Sequence, residues 1–181
     1  VNGGLGKSTG KFKTLKTGTV AFLGGSITHN PGWRTKTIRY LQERFPETKF
    51  NFISAGIPSL GSTPHAFRFG RDVLSQGVPD LLFLESAVND RGNGFSEKAQ
   101  IRALEGICRQ ARASNPDMDI ILMAFADPHK NADWDAGREP AEVTVHERVA
   151  RHYGLPYINL AREVYDKIKA GEFSWEYDFK D

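Results

Sequence analysis

The chain has 181 residues, enough for one domain with a sizeable core, and 39% of them are hydrophobic and 25% charged, as in ordinary soluble globular domains. The formal net charge of +2 is too small to indicate a nucleic acid or an anionic membrane as a partner. No apolar run approaches the ~20 residues of a membrane span, and Cys108, the only cysteine, excludes an intrachain disulfide and argues against a cysteine metal site.

Short apolar runs alternate with amphipathic segments, which predicts an α/β fold: a three-layer α/β/α sandwich around a central, mostly parallel five-stranded sheet. Residues 1–18 are rich in Gly, Lys and Thr without periodicity, and we expect a surface arm there, followed by one domain over 19–181. The predicted strands are 19–23, 50–53, 81–84, 120–125 and 157–160. The predicted helices are 33–45, 62–76, 97–113, 141–153 and 161–170.

The first predicted strand ends abruptly in Gly24-Gly25-Ser26-Ile27-Thr28. Two glycines allow a sharp turn without a Cβ penalty, and the turn leaves Ser26 at the carboxyl edge of the sheet, where open α/β folds bind ligands. Ser26 is therefore a candidate nucleophile. On this segment alone, an ordinary Gly-Gly-Ser turn is an equal alternative.

The next two predicted strands end in Ser54-Ala55-Gly56 and in a polar stretch that contains Asn89. In a parallel sheet these ends share one edge, so Ser26, Gly56 and Asn89 are expected to converge. Acyl transfer needs a nucleophilic hydroxyl and donors aimed at the developing oxyanion. Ser26 offers the hydroxyl and its own N–H, Gly56 an unshielded backbone N–H, and Asn89 a side-chain amide.

Gly24-Gly25-Ser26-Ile27-Thr28, Gly56 and Ala87-Val88-Asn89-Asp90 resemble the first three blocks of the SGNH (GDSL-type) hydrolases, which are esterases and lipases. The resemblance runs from about residue 19 to the end and implies a flavodoxin-like fold, a Ser26 nucleophile and an oxyanion hole of Ser26, Gly56 and Asn89. Two positions depart from the family pattern: Gly25 replaces a common Asp, and Ala87 replaces a glycine. The first block, followed by Gly32-Trp33-Arg34, resembles a branch associated with carbohydrate esterases.

The last block of the family is Asp-x-x-His, in which the histidine activates the serine and the aspartate orients it. Asp181 stands where the aspartate is expected, with Asp178 as a competitor, and the sequence ends before the histidine. We therefore expect a domain truncated at its C-terminus, with impaired turnover in this 181-residue form. The alternatives are a substitute base or a catalytically inactive glycan-binding pseudoenzyme.

Five further residues invite an interpretation. His29 lies near Ser26 and is a weak candidate for a substitute base, a solvated loop residue being favoured. Arg34 either holds a substrate carboxylate or caps a helix, and Glu85 either orders the Asn89 loop or lies exposed at a strand end. His65 and His129 are candidate substrate contacts. No histidines and carboxylates have ligand-like spacing, so the sequence predicts no metal.

Residues 2–9 imitate a phosphate-binding P-loop, but no strand precedes them and no apolar helical face follows, so nucleotide binding is not predicted. Residues 131–138 are expected to form a polar specificity loop at the active edge.

The sequence thus predicts a serine esterase without a cofactor, acting on O-acetyl esters of a polysaccharide or oligosaccharide, with a lipid ester as the further alternative. Nucleic acid and a membrane span are not expected, and the sequence does not give the oligomeric state. The first residue is Val1 rather than Met, and the family resemblance is compatible with a periplasmic or secreted location after signal-peptide removal.

Overall fold

The apolar runs of the sequence form a parallel sheet in the computed structural model of the chain, which describes residues 4–176. All neighbouring strands are parallel and their order is β2-β1-β3-β4-β5. The carboxyl ends of the strands therefore meet at one edge, as predicted. The strands are β1 (Thr17–Gly24), β2 (Lys49–Gly56), β3 (Leu81–Glu85), β4 (Asp119–Ala124) and β5 (Tyr157–Asn159).

Helices cover both faces of the sheet, which confirms the three-layer prediction. Each predicted helix is present, and the one expected over 62–76 ends in a separate 3₁₀ turn at Leu74–Gln76. No helix within residues 4–176 is long and apolar enough to cross a membrane. The helices are α1 (Gly6–Leu15), α2 (Ser26–His29), α3 (Trp33–Arg44), α4 (Ser62–Asp72), α5 (Ala87–Gly92), α6 (Glu97–Ser114), α7 (Pro128–Asp135), α8 (Ala141–Tyr153) and α9 (Leu160–Lys169).

The core has two parts, one on each face of the sheet. On one face, aliphatic side chains of the strands pack against α4, α6 and α8. On the other face, the core is aromatic: the rings of Phe22 and Phe83 stack with their centroids 5.2 Å apart, and Leu41 of α3 packs beside them. Because β1, β3 and β4 are buried on both faces, they appear in the sequence as continuous apolar runs.

Helix α1 lies where the sequence predicted a surface arm. Its Phe12 is fully buried and contacts the rings of Phe45 and Phe50, with centroids 5.5 and 5.0 Å away. A Cβ at Gly18 would overlap the Phe12 ring, so this glycine makes room for it. One aromatic anchor in an otherwise polar helix leaves little periodicity to detect, which is why α1 was missed. The predicted division of the chain at residue 18 stays a prediction.

The P-loop-like segment also starts a helix, contrary to the expectation from sequence. The carboxylate of Asp119 accepts hydrogen bonds from the N–H and the hydroxyl of Ser8 at 2.8 and 2.7 Å. Lys11 pairs with Asp80 at 2.6 Å. A carboxylate of this chain thus occupies the first turn of α1, at the amino end of the sheet and away from Ser26.

Candidate active site

Ser26 is presented by a turn that a buried carboxyl group closes. β1 ends at Gly24, and Ser26 is the first residue of α2. Glu85, at the end of β3, accepts hydrogen bonds from the N–H of Gly25 at 2.6 Å and from the Thr28 hydroxyl at 2.8 Å. Ser26 itself is half-buried, and at the first helical position its N–H has no intrahelical acceptor. Two hydrogen bonds to Glu85 therefore hold the turn around the nucleophile candidate, whose N–H has no acceptor among residues 4–176.

Two buried side chains, one acidic and one basic, hold the strand ends beneath this turn. Burial raises the pKa of the Glu85 carboxyl above its ordinary value, whereas the hydrogen bonds from Thr28 and Gly25 act in the opposite direction. The guanidinium of Arg68 donates to the carbonyl groups of Gly24 and Ala55, which joins the ends of β1 and β2. Glu85 thus orders the nucleophile turn, a role that neither sequence alternative included.

The carboxamide of Asn89 packs directly on the backbone before Ser26. A Cβ at Gly25 would overlap the Oδ1 atom of Asn89 and would lie 3.4 Å from the Leu60 carbonyl oxygen. The glycine at this position, a departure from the family pattern, therefore allows the carboxamide to approach the turn closely. Asn89 is half-buried, and its carboxamide makes no hydrogen bond to any residue that the structure describes. Its N–H groups remain available to a ligand.

Gly56 lies at the expected edge but its peptide groups turn away from β1. The N–H of Ile57 bonds to the Gly24 carbonyl at 2.9 Å, and the Gly56 carbonyl accepts from Nδ1 of His29 at 3.1 Å. Since alternate residues of a strand direct their N–H groups to opposite sides, the Gly56 N–H points to the outer edge of β2. A Cβ at Gly56 would lie 2.7 Å from the Cα of His29, so the observed role of this glycine is close packing against α2. Its predicted role as an oxyanion donor stays a prediction.

We expect Gly56→Ala to lower the free energy of unfolding by about 1–3 kcal/mol, because the added methyl group meets the rigid backbone of α2. Urea unfolding measures this change. Gly70→Ala is the matched control: Gly70 is an exposed position of α4 with open space around its Cα, and alanine there keeps or raises stability. Equal stability of Gly56→Ala and the wild type would contradict the packing role.

Gly61 is a second glycine of the turn after β2, and the sequence analysis did not single it out. It is buried, a Cβ there would overlap Oδ1 of Asp90, and its N–H has no acceptor among the described residues. Buried backbone N–H groups are nearly always paired, so an unpaired one beside the Asn89 helix points to a ligand acceptor. Treating the whole turn up to the start of α4 as a candidate, rather than its first glycine alone, would have found Gly61.

His65 and His129 differ sharply in their surroundings. His65 is fully buried, its Nδ1 lies 2.8 Å from the Ser86 hydroxyl, and burial together with the charge of Arg68 lowers its pKa to about 3. A neutral, buried imidazole does not face solvent, which argues against direct contact with a substrate. His129 is exposed at the start of α7, where Asp127 caps the helix. Its substrate role stays a prediction.

Arg34 acts here as the helix cap that was one of its two predicted roles. Its Nε donates to the Thr28 carbonyl at 2.9 Å, and its Nη2 donates to the His29 carbonyl at 3.1 Å. These are the last carbonyl groups of α2, so Arg34 fixes the helix that carries Ser26. A contact with a substrate carboxylate stays untested.

The predicted specificity loop over 131–138 is wrong for most of its length, because α7 extends to Asp135. Pro128 at the first position and Asp127 at the N-cap are helix-start signals that the sequence analysis passed over. Trp134 is buried against the core, and its indole N–H donates to Glu139 at 2.9 Å.

Ser26 lacks a hydrogen-bonded histidine in residues 4–176, and His29 instead bonds to Gly56. Asp178 and Asp181 lie outside the described residues. The described part of the site thus contains a nucleophile candidate and its amide donors.

A family model described as "GDSL-like Lipase/Acylhydrolase family" matches residues 22–181. No curated protein sequence matches the chain. Among solved structures, a two-domain esterase (CEX) active on acetylated mannans is 25% identical with a TM-score of 0.80, over 99% of this chain and 47% of that one. The same esterase co-crystallized with mannopentaose gives a TM-score of 0.81 at 25% identity, over 99% and 48%. This chain therefore spans about half the length of that esterase.

A catalytic mutant of Axe2, an acetylxylan esterase from Geobacillus stearothermophilus, is 17% identical with a TM-score of 0.67, over 87% of this chain and 84% of that one. At this identity the likeness concerns the fold alone. It shows the same sheet and helix layers in a protein of similar length.

Proposed function

We propose that this chain, which belongs to the GDSL-like lipase/acylhydrolase family, is a serine esterase that removes O-acetyl groups from a polysaccharide or oligosaccharide. The family, predicted from three short blocks at strand ends, is confirmed. One observation carries the proposal: the carboxamide of Asn89 packs on the peptide just before the half-buried Ser26 and has no hydrogen-bond partner in the described part of the chain. The similarity to an esterase active on acetylated mannans supports a glycan ester as the substrate.

In the proposed reaction, the Oγ of Ser26 attacks the ester carbonyl carbon, and the carbonyl oxygen becomes an oxyanion. The N–H of Ser26 and the carboxamide of Asn89 donate to that oxygen. The third donor comes from the turn after β2. We assign it to Gly61 rather than to Gly56, because no described residue accepts the Gly61 N–H and the Gly56 N–H points to the outer edge of the sheet.

The proton of the Ser26 hydroxyl passes to a base and then to the leaving sugar oxygen, so that the ester C–O bond breaks and an acetyl-serine remains. Water attacks this intermediate, loses a proton to the same base and releases acetate and the free serine. In the family pattern the base is a histidine three positions after an aspartate, and we assign the aspartate to Asp181.

We expect the protein to release acetate from acetylated mannan or acetylated xylan, and Asn89→Ala to lower kcat by about 10²–10³-fold because one oxyanion donor is lost. Acetate released per minute is the measurement, with p-nitrophenyl acetate as a second substrate. The matched control is Asn115→Ala, which removes an amide hydrogen bond to the Pro79 carbonyl at the opposite edge of the sheet. It should leave kcat unchanged.

Each other outcome has a definite meaning. Hydrolysis of a long-chain triglyceride without acetate release from either glycan would favour a lipase. Binding of mannopentaose without hydrolysis of any ester would favour a glycan-binding pseudoenzyme. An Asn89→Ala variant with full kcat would remove Asn89 from the oxyanion hole.

A further inference from the structure

Behind the proposed oxyanion hole lies a buried polar pair that the reaction does not use. Asp90 of α5 and His146 of α8 are both fully buried, and Nε2 of His146 lies 2.9 Å from Oδ2 of Asp90. The other carboxylate oxygen of Asp90 accepts the N–H of Ser62, at the start of α4, at 2.6 Å. The carboxylate of Asp90 therefore links α4, α5 and α8, three helices from separate parts of the sequence.

The segments that Asp90 joins carry the two candidate oxyanion donors other than Ser26, namely Asn89 and Gly61. Asp90 directly follows Asn89, and its backbone is fixed by its N–H bond to the Ser86 carbonyl at 2.9 Å. Ser62 directly follows Gly61, whose missing Cβ lets the turn close onto the Asp90 carboxylate. A displacement of the carboxylate would thus move the Asn89 carboxamide and the Gly61 N–H relative to each other.

We infer that the His146–Asp90 pair is a positioning element that holds the Asn89 and Gly61 donors in register for the oxyanion. The part of the inference that concerns an oxyanion rests on the proposed function. The coupling of the two turns rests on geometry alone. His146 is on a helix far from Ser26 in sequence and touches no reacting atom, so it is a positioning residue.

The energetics of the pair favour positioning over stability as its role. A buried polar or charged pair adds little stability compared with apolar side chains of similar volume, because desolvation offsets the attraction. Here the desolvation penalty of the pair is larger, since Nδ1 of His146 is buried without a hydrogen-bond partner in the part of the chain that the structure describes. What the pair supplies is directional hydrogen bonding, which apolar packing lacks.

The test compares His146→Leu with His146→Gln. Leucine removes the donor to Asp90, and we expect kcat for p-nitrophenyl acetate to fall by about 10- to 100-fold, a part of the effect of losing an oxyanion donor outright. Glutamine keeps an N–H near the position of Nε2, and we expect kcat within about threefold of wild type. KM should change little in both variants.

Tyr157→Phe is the matched control for the same helix. It removes the hydrogen bond of the Tyr157 hydroxyl to the Val143 carbonyl of α8, 3.0 Å long, without touching Asp90. Its kcat should equal that of the wild type. If His146→Leu does not fold, His146→Asn replaces it, because its shorter side chain keeps the amide but does not reach Asp90.

Two further measurements separate positioning from a general loss of structure. In the Asn89→Ala background, His146→Leu should lower kcat by a clearly smaller factor than in the wild type, because Gly61 is then the only one of the two positioned donors that remains. In ¹H–¹⁵N spectra, His146→Leu should shift the amide signals of Gly61 and Ser62 and the side-chain signals of Asn89. In His146→Gln and in Tyr157→Phe, these signals should lie at their wild-type positions.

The outcomes distinguish the inference from the proposed function. In a chain that continues to the histidine of the family's last block, turnover no greater than that of its Ser26→Ala variant would overturn the function, and the spectra would still decide the coupling. An active wild type with equal kcat in His146→Leu, or unmoved Gly61, Ser62 and Asn89 signals in that variant, would overturn the positioning role. A kcat loss of the same factor with and without Asn89 would also overturn it.

Discussion

In a chain that continues to the histidine of the family's last block, replacing Ser26 by alanine is expected to lower kcat/KM for p-nitrophenyl acetate by about 10⁴-fold or more, since no covalent acyl intermediate can form without the hydroxyl. The methyl side chain fits the same half-buried position, and no hydrogen bond of the Ser26 hydroxyl to a described residue is lost, so the fold and its melting temperature should be unchanged. Steady-state release of p-nitrophenol measures the rate, and thermal melting measures the stability.

Ser114→Ala is a suitable control for this experiment. Its hydroxyl bonds to the Gln110 carbonyl at 2.9 Å at the exposed end of α6, far from the carboxyl edge of the sheet. This variant should keep wild-type kcat/KM. Undiminished turnover in Ser26→Ala would show that Ser26 is not the nucleophile. The chain would then belong to the family without using a serine mechanism at this position.

The sequence predicted the sheet well because β1, β3 and β4 are buried on both faces. A short, continuous apolar run such as Leu81–Glu85 is typical of a buried strand, and the parallel pairing follows from the alternation with helices. Short helices were harder to predict. Helices α2 and α5 are four and six residues long, too short for a periodic pattern.

The candidate site was predictable as far as topology determines it. Parallel strands bring Ser26 and Asn89 to the same edge of the sheet, independently of the conformation of the loops. The remaining features depend on contacts between turns of different strands: the carboxamide against Gly25, the Glu85 carboxyl under the Ser26 turn, and the unpaired N–H of Gly61. Such long-range contacts leave no local pattern in the sequence. The donor predicted from the sequence was therefore Gly56, the first glycine of the turn after β2, and not Gly61.

The second large effect concerns the base that would activate Ser26. A serine hydroxyl at its ordinary pKa is a weak nucleophile, and the proposed oxyanion donors are N–H groups, which do not accept the serine proton. We expect an extension that places a histidine three positions after Asp181 to raise kcat for p-nitrophenyl acetate by about 10⁴-fold over the 181-residue chain. The same extension with asparagine in place of that histidine is the control, and it should give no increase.

Asp181→Asn in the extended chain separates the orienting acid from the base. If Asp181 holds the imidazole in the correct tautomer, asparagine should remove most of the gain in kcat. Asp178→Asn should have little effect, since the histidine is not three positions after it. Equal kcat with histidine and with asparagine in the extension would contradict the assignment. The proton of Ser26 would then have to leave by another route, and His29, whose Nδ1 is already bonded to Gly56, would be the next residue to substitute.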